Sequence, residues 1–198
     1  MTRQKTDEVR KQQIRAAATR CFVRRGFAAT RLLDIAREAG LSKGGVYFHY
    51  RAKDTLFHDI LDAQFVALEA RWGADQTADQ PADKALHALV AAHLQTLEAS
   101  PDEARFCNLM LAMSSQDPVF REKLVPILTA MRRRYADLVR RGTAAGVFAA
   151  SDADSVAVGI IALVYGLAAQ SAGDEKAALP VSAEQGAELA VRLARGAV

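Results

Sequence analysis

The chain lacks most of what marks a membrane, secreted or catalytic protein. No run of eighteen or more apolar residues occurs, and the charged stretch Met1 to Arg10 contains no apolar segment. Neither a spanning helix nor a secretory signal is therefore expected, and the expected location is cytoplasmic. Cys21 and Cys107 are the only cysteines among 198 residues. They lie far apart in apolar helical stretches, which suits two reduced core thiols better than a disulfide. There is no Gly-x-Ser-x-Gly elbow, no phosphate-cradling glycine loop with its lysine, and no His-Glu-x-x-His, so no catalytic activity and no cofactor are expected. His87 and His93 are six apart and do not share a helix face, which argues against a metal site. The one stretch rich in β-branched residues, Val156 to Val164, is interrupted by Gly159 and Ala162, so no strand is predicted.

What is present is a chain rich enough in apolar residues, at 51%, to bury a real core. The net charge of +3 hides an asymmetry. Residues 1–53 hold thirteen Lys and Arg against four Asp and Glu, or +9, whereas the remaining residues sum to −6. A basic head on an acidic body concentrates attraction for phosphate at one end. A solvated basic surface would have the same charge, so the motifs must decide.

Apolar residues recur at helical spacing almost throughout. Ile14, Ala17, Ala18, Cys21 and Phe22 form one stripe, with Thr6, Asp7 and Glu8 as cap and first-turn acids, which predicts a first helix from about Thr6 to Arg25. Gly26 ends it, and Thr30 can cap a short second helix with the stripe Leu32, Ile35, Ala36 and Ala39. Gly40 ends that helix, and Ser42 caps a third running to about His49. Two short helices joined by a glycine turn have the shape of a DNA-reading motif.

The third helix, Ser42-Lys43-Gly44-Gly45-Val46-Tyr47-Phe48-His49-Tyr50, would be poor in isolation. Its adjacent glycines cost roughly 2 kcal/mol relative to alanines. A bare glycine surface lets a helix N-terminus press close to another molecule, while Ser42, Lys43, Tyr47 and His49 supply donors for phosphates and base edges. Leu41, Val46 and Tyr50 are expected to face inward.

The stretch from Thr30 through Tyr50, followed by Lys53-Asp54-Thr55-Leu56, resembles the head of TetR/AcrR-family transcriptional regulators. The resemblance covers about residues 8 to 61. It implies that Thr30 and Arg31 touch the DNA backbone, that Lys43, Gly44 and Gly45 face bases, and that Tyr47 and His49 bind phosphates. It further implies that Phe48 makes apolar or stacking contact near the groove and that Lys53 clamps the backbone. Arg31 stands where the family often has a small hydroxyl residue and Gly45 where a larger one often meets a base, so the operator sequence stays open.

The expected fold is all-α, with about nine helices. A helix-turn-helix domain at 1–52 is followed by a helical ligand-binding and dimerisation domain at 53–198, which begins with a long fourth helix carrying Leu56, Phe57, Ile60, Leu61, Phe65 and Leu68. Polar Gly73 to Pro81 precedes a fifth helix, and Ser100, Asp117, Ser151 and Ser182 lie at the starts of the later ones. In the eighth, Gly159, Ala162, Gly166 and Ala169 make a small-residue stripe suited to close approach by another helix. That stripe fits an internal core helix nearly as well as an interface; the family resemblance implies a homodimer through the last two helices. His93, Phe106, Met110, Met113, Met131, Tyr135 and Tyr165 are soft and aromatic enough to line an apolar pocket, though a plain core would use the same residues. The expected function is a repressor that binds a palindromic double-stranded DNA operator as a dimer and is released by a small apolar or aromatic effector. An activator, or a helical binding or scaffold protein, is the alternative.

Overall fold

Helix caps and positive-φ glycines cut the chain into its elements. The structure is a computed structural model that describes residues 3–74, 80–98, 101–149, 152–171 and 179–196, and among them there are nine α-helices and no strand. The chain divides into two compact units, Met1–Phe65 and Val66–Val198.

In the first unit, α1 (Arg3–Ala29) is broken where expected: Gly26 sits at φ +77°, ψ 161°, and one further turn reaches Ala29. Ile14, Ala17, Ala18 and Phe22 are completely buried and Cys21 nearly so. The second helix, α2 (Leu32–Glu38), starts later than predicted, because Arg31 and not Thr30 is its cap. The Arg31 N–H donates to Asp34 Oδ2 at 3.0 Å. The Thr30 hydroxyl instead turns back into the protein, 2.7 Å from the Gly26 carbonyl and 3.2 Å from that of Cys21, and the residue is buried. Gly40, at φ +64°, ends the α2 segment as expected. Helix α3 (Lys43–His49) is capped by Ser42, whose Oγ accepts from Gly45 N–H at 3.0 Å. Val46 and Tyr50 point into the core.

Helix α4 (Lys53–Ala74) buries Leu56, Phe57, Ile60 and Leu61. Phe57 packs edge-on to both Phe22 and Phe27, with centroids 5.6 and 5.3 Å away. The start of α4 thus belongs to the head, and the division falls at Phe65/Val66 instead of at 52/53. Phe65 is half-buried, and the Leu68 side chain lies outside the described residues.

The second unit holds α5 (Ala82–Glu98), α6 (Pro101–Gln116), α7 (Pro118–Ala144), α8 (Ala153–Ser171) and α9 (Ala183–Arg195). Asp117 caps α7 by accepting from Val119 N–H at 2.8 Å, and Ser182 and Gln185 cap α9 reciprocally. Asp152 accepts from the N–H groups of Asp154 and Ser155 at the start of α8. Ser100 and Ser151 lie outside the described residues. Helix α5 packs chiefly on α9, and α7 on α8.

Glycines admit the closest approaches. A Cβ on Gly142 would lie 2.1 Å from the Phe148 ring, and one on Gly186 would lie 2.4 Å from Leu94 Cδ1. Among the described residues, α8 alone is long and apolar enough to cross a membrane by length and composition, although no uninterrupted apolar run was expected there. Only 28% of its most apolar stretch is buried.

Candidate nucleic-acid interface

Helix α3 is anchored by a single fully buried side chain, Val46, and leaves most of its surface open. Ser42, Lys43 and Gly44 are exposed, Gly45 and Tyr47 are half-buried, and Phe48 is 74% exposed, an unusual setting for a phenyl ring. The Lys43 ammonium lies 5.3 Å from the Tyr47 ring centroid. Arg31 is exposed at the start of α2.

Nothing inside the protein accounts for Gly44, whereas a side chain at Gly45 would crowd the capping Ser42 hydroxyl. Both glycines are helical, without positive φ. A Cβ on Gly44 would meet nothing closer than Ser42 Oγ at 3.9 Å, and one on Gly45 would meet the same atom at 3.3 Å. Position 44 would accept a methyl without displacing any atom of the chain.

Three residues expected to face DNA are turned inward. Thr30 is buried at the α1–α2 corner. The Lys53 ammonium donates to the carbonyls of Phe27 at 2.7 Å, Ala28 at 2.9 Å and Thr30 at 3.3 Å, and lies 4.5 Å from the Phe27 ring centroid. Carbonyls at the end of a helix have no intrahelical partner, so the Lys53 ammonium serves there as a cap. The His49 side chain is 9% exposed and sits 3.3 Å from Asp7 Oδ1, on α1.

Several bracing residues escaped the sequence reading. Glu38 accepts from both Arg20 and Arg24, and Arg25 lies 3.0 Å from Asp34. The Arg20 and Arg24 guanidiniums hold the Glu38 carboxyl below the usual carboxylate range; the Arg31 N–H and Arg25 do the same for Asp34. Gln13 Nε2 donates to the Ala39 carbonyl at 2.7 Å, closing the end of α2. Asp59, on α4, accepts from Arg15 and from Tyr50. Each pair joins different helices, so no spacing along the chain could have revealed it.

In the body, the expected pocket residues come together only in part. His93 Nδ1 lies 3.2 Å from the Tyr135 hydroxyl, its ring is edge-on to Tyr165 at 6.4 Å, and the Tyr165 hydroxyl is 3.8 Å from Met131 Sδ. Burial pushes both phenols above their ordinary range. Phe106 and Met110 are buried and Met113 half-buried on α6. A cavity of about 500 Å³ lies elsewhere, between α5 and α9, and is lined by Asp83, His87, Glu184 and Arg195 among others.

The small-residue stripe of α8 splits. Gly159 faces the chain's own α9, where an added Cβ would lie 2.8 Å from Leu193, so it is an internal contact and not part of an outer face. Ala162 and Ala169 are exposed, Gly166 opens on empty space, and Val158 beside them is 50% exposed.

Two family profiles match this chain. The one described as bacterial regulatory proteins, tetR family, covers residues 14–60, and the one described as BetI-type transcriptional repressor, C-terminal, covers residues 81–196. The chain belongs to the TetR family of transcriptional regulators. It is 42% identical over 62 residues to the HTH-type transcriptional regulator TtgR of Pseudomonas putida, a match covering 31% of this chain and 29% of that relative. Among solved structures, a TetR transcription regulator from Haloarcula marismortui superposes with TM-score 0.78 at 20% identity, covering 96% of this chain and 98% of the other. A transcriptional regulator from Saccharomonospora viridis in complex with choline superposes with TM-score 0.74 at 23% identity, covering 93% and 94%. The likeness to TtgR lies in less than a third of either chain, whereas the structural likeness extends over nearly the whole molecule.

Proposed function

We propose that the protein is a cytoplasmic transcriptional repressor that holds a palindromic double-stranded DNA operator as a homodimer and releases it when a small molecule occupies the body. The observation that carries the DNA-reading part is the glycine pair on α3. It weakens the helix, its first member Gly44 relieves no internal clash, and it lies on the surface bearing Lys43, Tyr47 and Phe48. Close approach of that helix to base edges supplies the missing reason. In this reading Arg31, Ser42, Lys43, Gly44, Gly45, Tyr47 and Phe48 form the contact surface. Thr30, His49 and Lys53 hold it in place from behind.

Gly44→Ala separates fold from function. Alanine is worth about 1 kcal/mol over glycine in a helix, so the variant should melt no lower than the parent. Its affinity for duplexes that the parent selects from a random pool should fall at least about tenfold, or about 1.4 kcal/mol. Undiminished affinity would remove Gly44 from the interface.

The outward face of α8, with Val158, Ala162, Gly166 and Ala169, supports dimerisation, because an apolar helix left so open needs a covering surface. Ala162→Arg should give a monomer in sedimentation velocity with unchanged helicity; a dimer of undiminished stability would place the interface elsewhere. A two-fold dimer sets the two reading helices at a fixed spacing. Effector binding in the body shifts α4, which continues from one unit into the other, and so changes that spacing. The cluster of His93, Met131, Tyr135 and Tyr165 is the proposed effector-recognition region. The first ligand panel contains apolar aromatic compounds together with choline, since aromatic rings also bind quaternary ammonium groups. A compound that raises the melting temperature and leaves operator affinity untouched would refute the release mechanism.

A further inference from the structure

Asp59 joins three helices at one carboxylate oxygen. Its Oδ2 accepts from Arg15 Nη1 of α1 at 3.1 Å and from the hydroxyl of Tyr50, the residue that ends α3. Arg15 is itself held by Glu8 at 2.6 Å, and its side chain is 16% exposed. The Tyr50 ring is buried, and burial together with the Asp59 carboxylate pushes its phenol above the ordinary range, so it stays a donor. Leu56, Phe57, Ile60 and Leu61 make apolar contacts, which have no preferred direction, and Lys53 ties the start of α4 to the end of α1. A hydrogen bond is directional, so the Tyr50–Asp59 bond fixes how α4 is turned relative to the end of the reading helix.

We propose that Asp59, through the Tyr50 hydroxyl, is a positioning residue that sets the reading angle of α3. It touches no DNA; it determines whether the side chains that do are correctly aimed. The inference rests on α3 being the reading helix and goes further in naming the atom pair through which a turn of α4 reaches it.

The probes are a duplex selected by the parent protein from a random pool and a scrambled duplex of equal length. The variants are Asp59→Asn, which keeps the shape and removes the charge, and Tyr50→Phe, which keeps the ring and removes the donor. Both are measured at a temperature where circular dichroism shows them folded. The ratio of affinities for selected over scrambled duplex should fall about tenfold in each, the scale of a coupling within a shared hydrogen-bond network. Affinity for the scrambled duplex and its salt slope should hold, because phosphate contacts are intact. Loss of structure alone would lower both affinities together. An unchanged ratio in either variant, or an equal loss on both duplexes, overturns the assignment. A parent that selects no sequence from the pool overturns the DNA-reading function itself, and the two failures are distinct.

Discussion

The head and the body of this protein are held together by different forces. The head has an apolar core of its own, and it is also tied by directional polar bonds between helices: Arg20 and Arg24 to Glu38, Arg25 to Asp34, Arg15 and Tyr50 to Asp59, and Lys53 to three carbonyls. The body relies on close packing of long helices. Leu86, Leu89, Val90 and Leu94 on α5 are buried, and glycines let Phe148, Leu193 and Leu94 press against backbone. A head that keeps a basic face in water gains precision from charge and direction in addition to its apolar core. The body has fewer such ties for its size, among them Asn108 to the Ala168 carbonyl and Arg195 to Asp83, and relies more on shape.

The largest break in that contrast should come from the body. Gly142→Ala places a methyl inside the Phe148 ring, which cannot move aside as the tip of a flexible chain could. Overpacking of this kind should cost about 3 kcal/mol, visible as a lower denaturant midpoint for the body, with DNA binding retained at low temperature. In the head, Lys53→Met should cost about 2 kcal/mol by stranding carbonyls at the end of α1. The dependence of DNA affinity on salt should stay unchanged. A slope smaller by about one would place the Lys53 ammonium on a phosphate instead and would undo its assignment as a brace.

The smallest effect concerns pH. Glu38 titrates below its ordinary value of 4.5 in the folded head, so folding is favoured by its ionised form. That contribution is complete above about pH 4.5 and is lost as pH falls through the lowered value. Urea midpoints of the parent should therefore drop on acidification from pH 6 to about pH 3, and Glu38→Gln should flatten part of that drop. Equal acid sensitivity in the variant would show that the Arg20 and Arg24 pairs contribute nothing measurable. The two thiols offer a control on burial. Cys21 is buried and Cys107 half-buried, and desolvation pushes Cys107 up to about 12 and also raises Cys21, so both should react with iodoacetamide more slowly at neutral pH in the folded chain than after unfolding.

Helices, caps and turns were legible because they depend on neighbours along the chain. Gly26 and Gly40 took up positive φ as their places between apolar stripes predicted, and Ser42, Asp117 and Ser182 capped the helices they precede. Thr30 misled because a threonine before an apolar stripe reads as a cap, whereas its hydroxyl donates back to the Gly26 and Cys21 carbonyls and Arg31 takes the cap position. His49 and Lys53 have intramolecular partners that the sequence did not reveal. Basic residues beside a reading helix are expected to reach for phosphate, and nothing local shows that Asp7 or the end of α1 lies closer.

The amino-acid order by itself determined most of the caps and turns that bound the helices, which end of the molecule is basic, and that α3 carries glycines no stable helix would choose. Periodicity, capping and charge are properties of adjacent residues, and they survive without knowledge of the fold. Tertiary structure alone decided which cations are spent inside the protein, which face of α8 stays open, and that Tyr50 and Arg15 meet at Asp59. Those outcomes depend on distances between helices far apart in the chain, where one rotation of a helix turns a side chain from solvent to a buried partner.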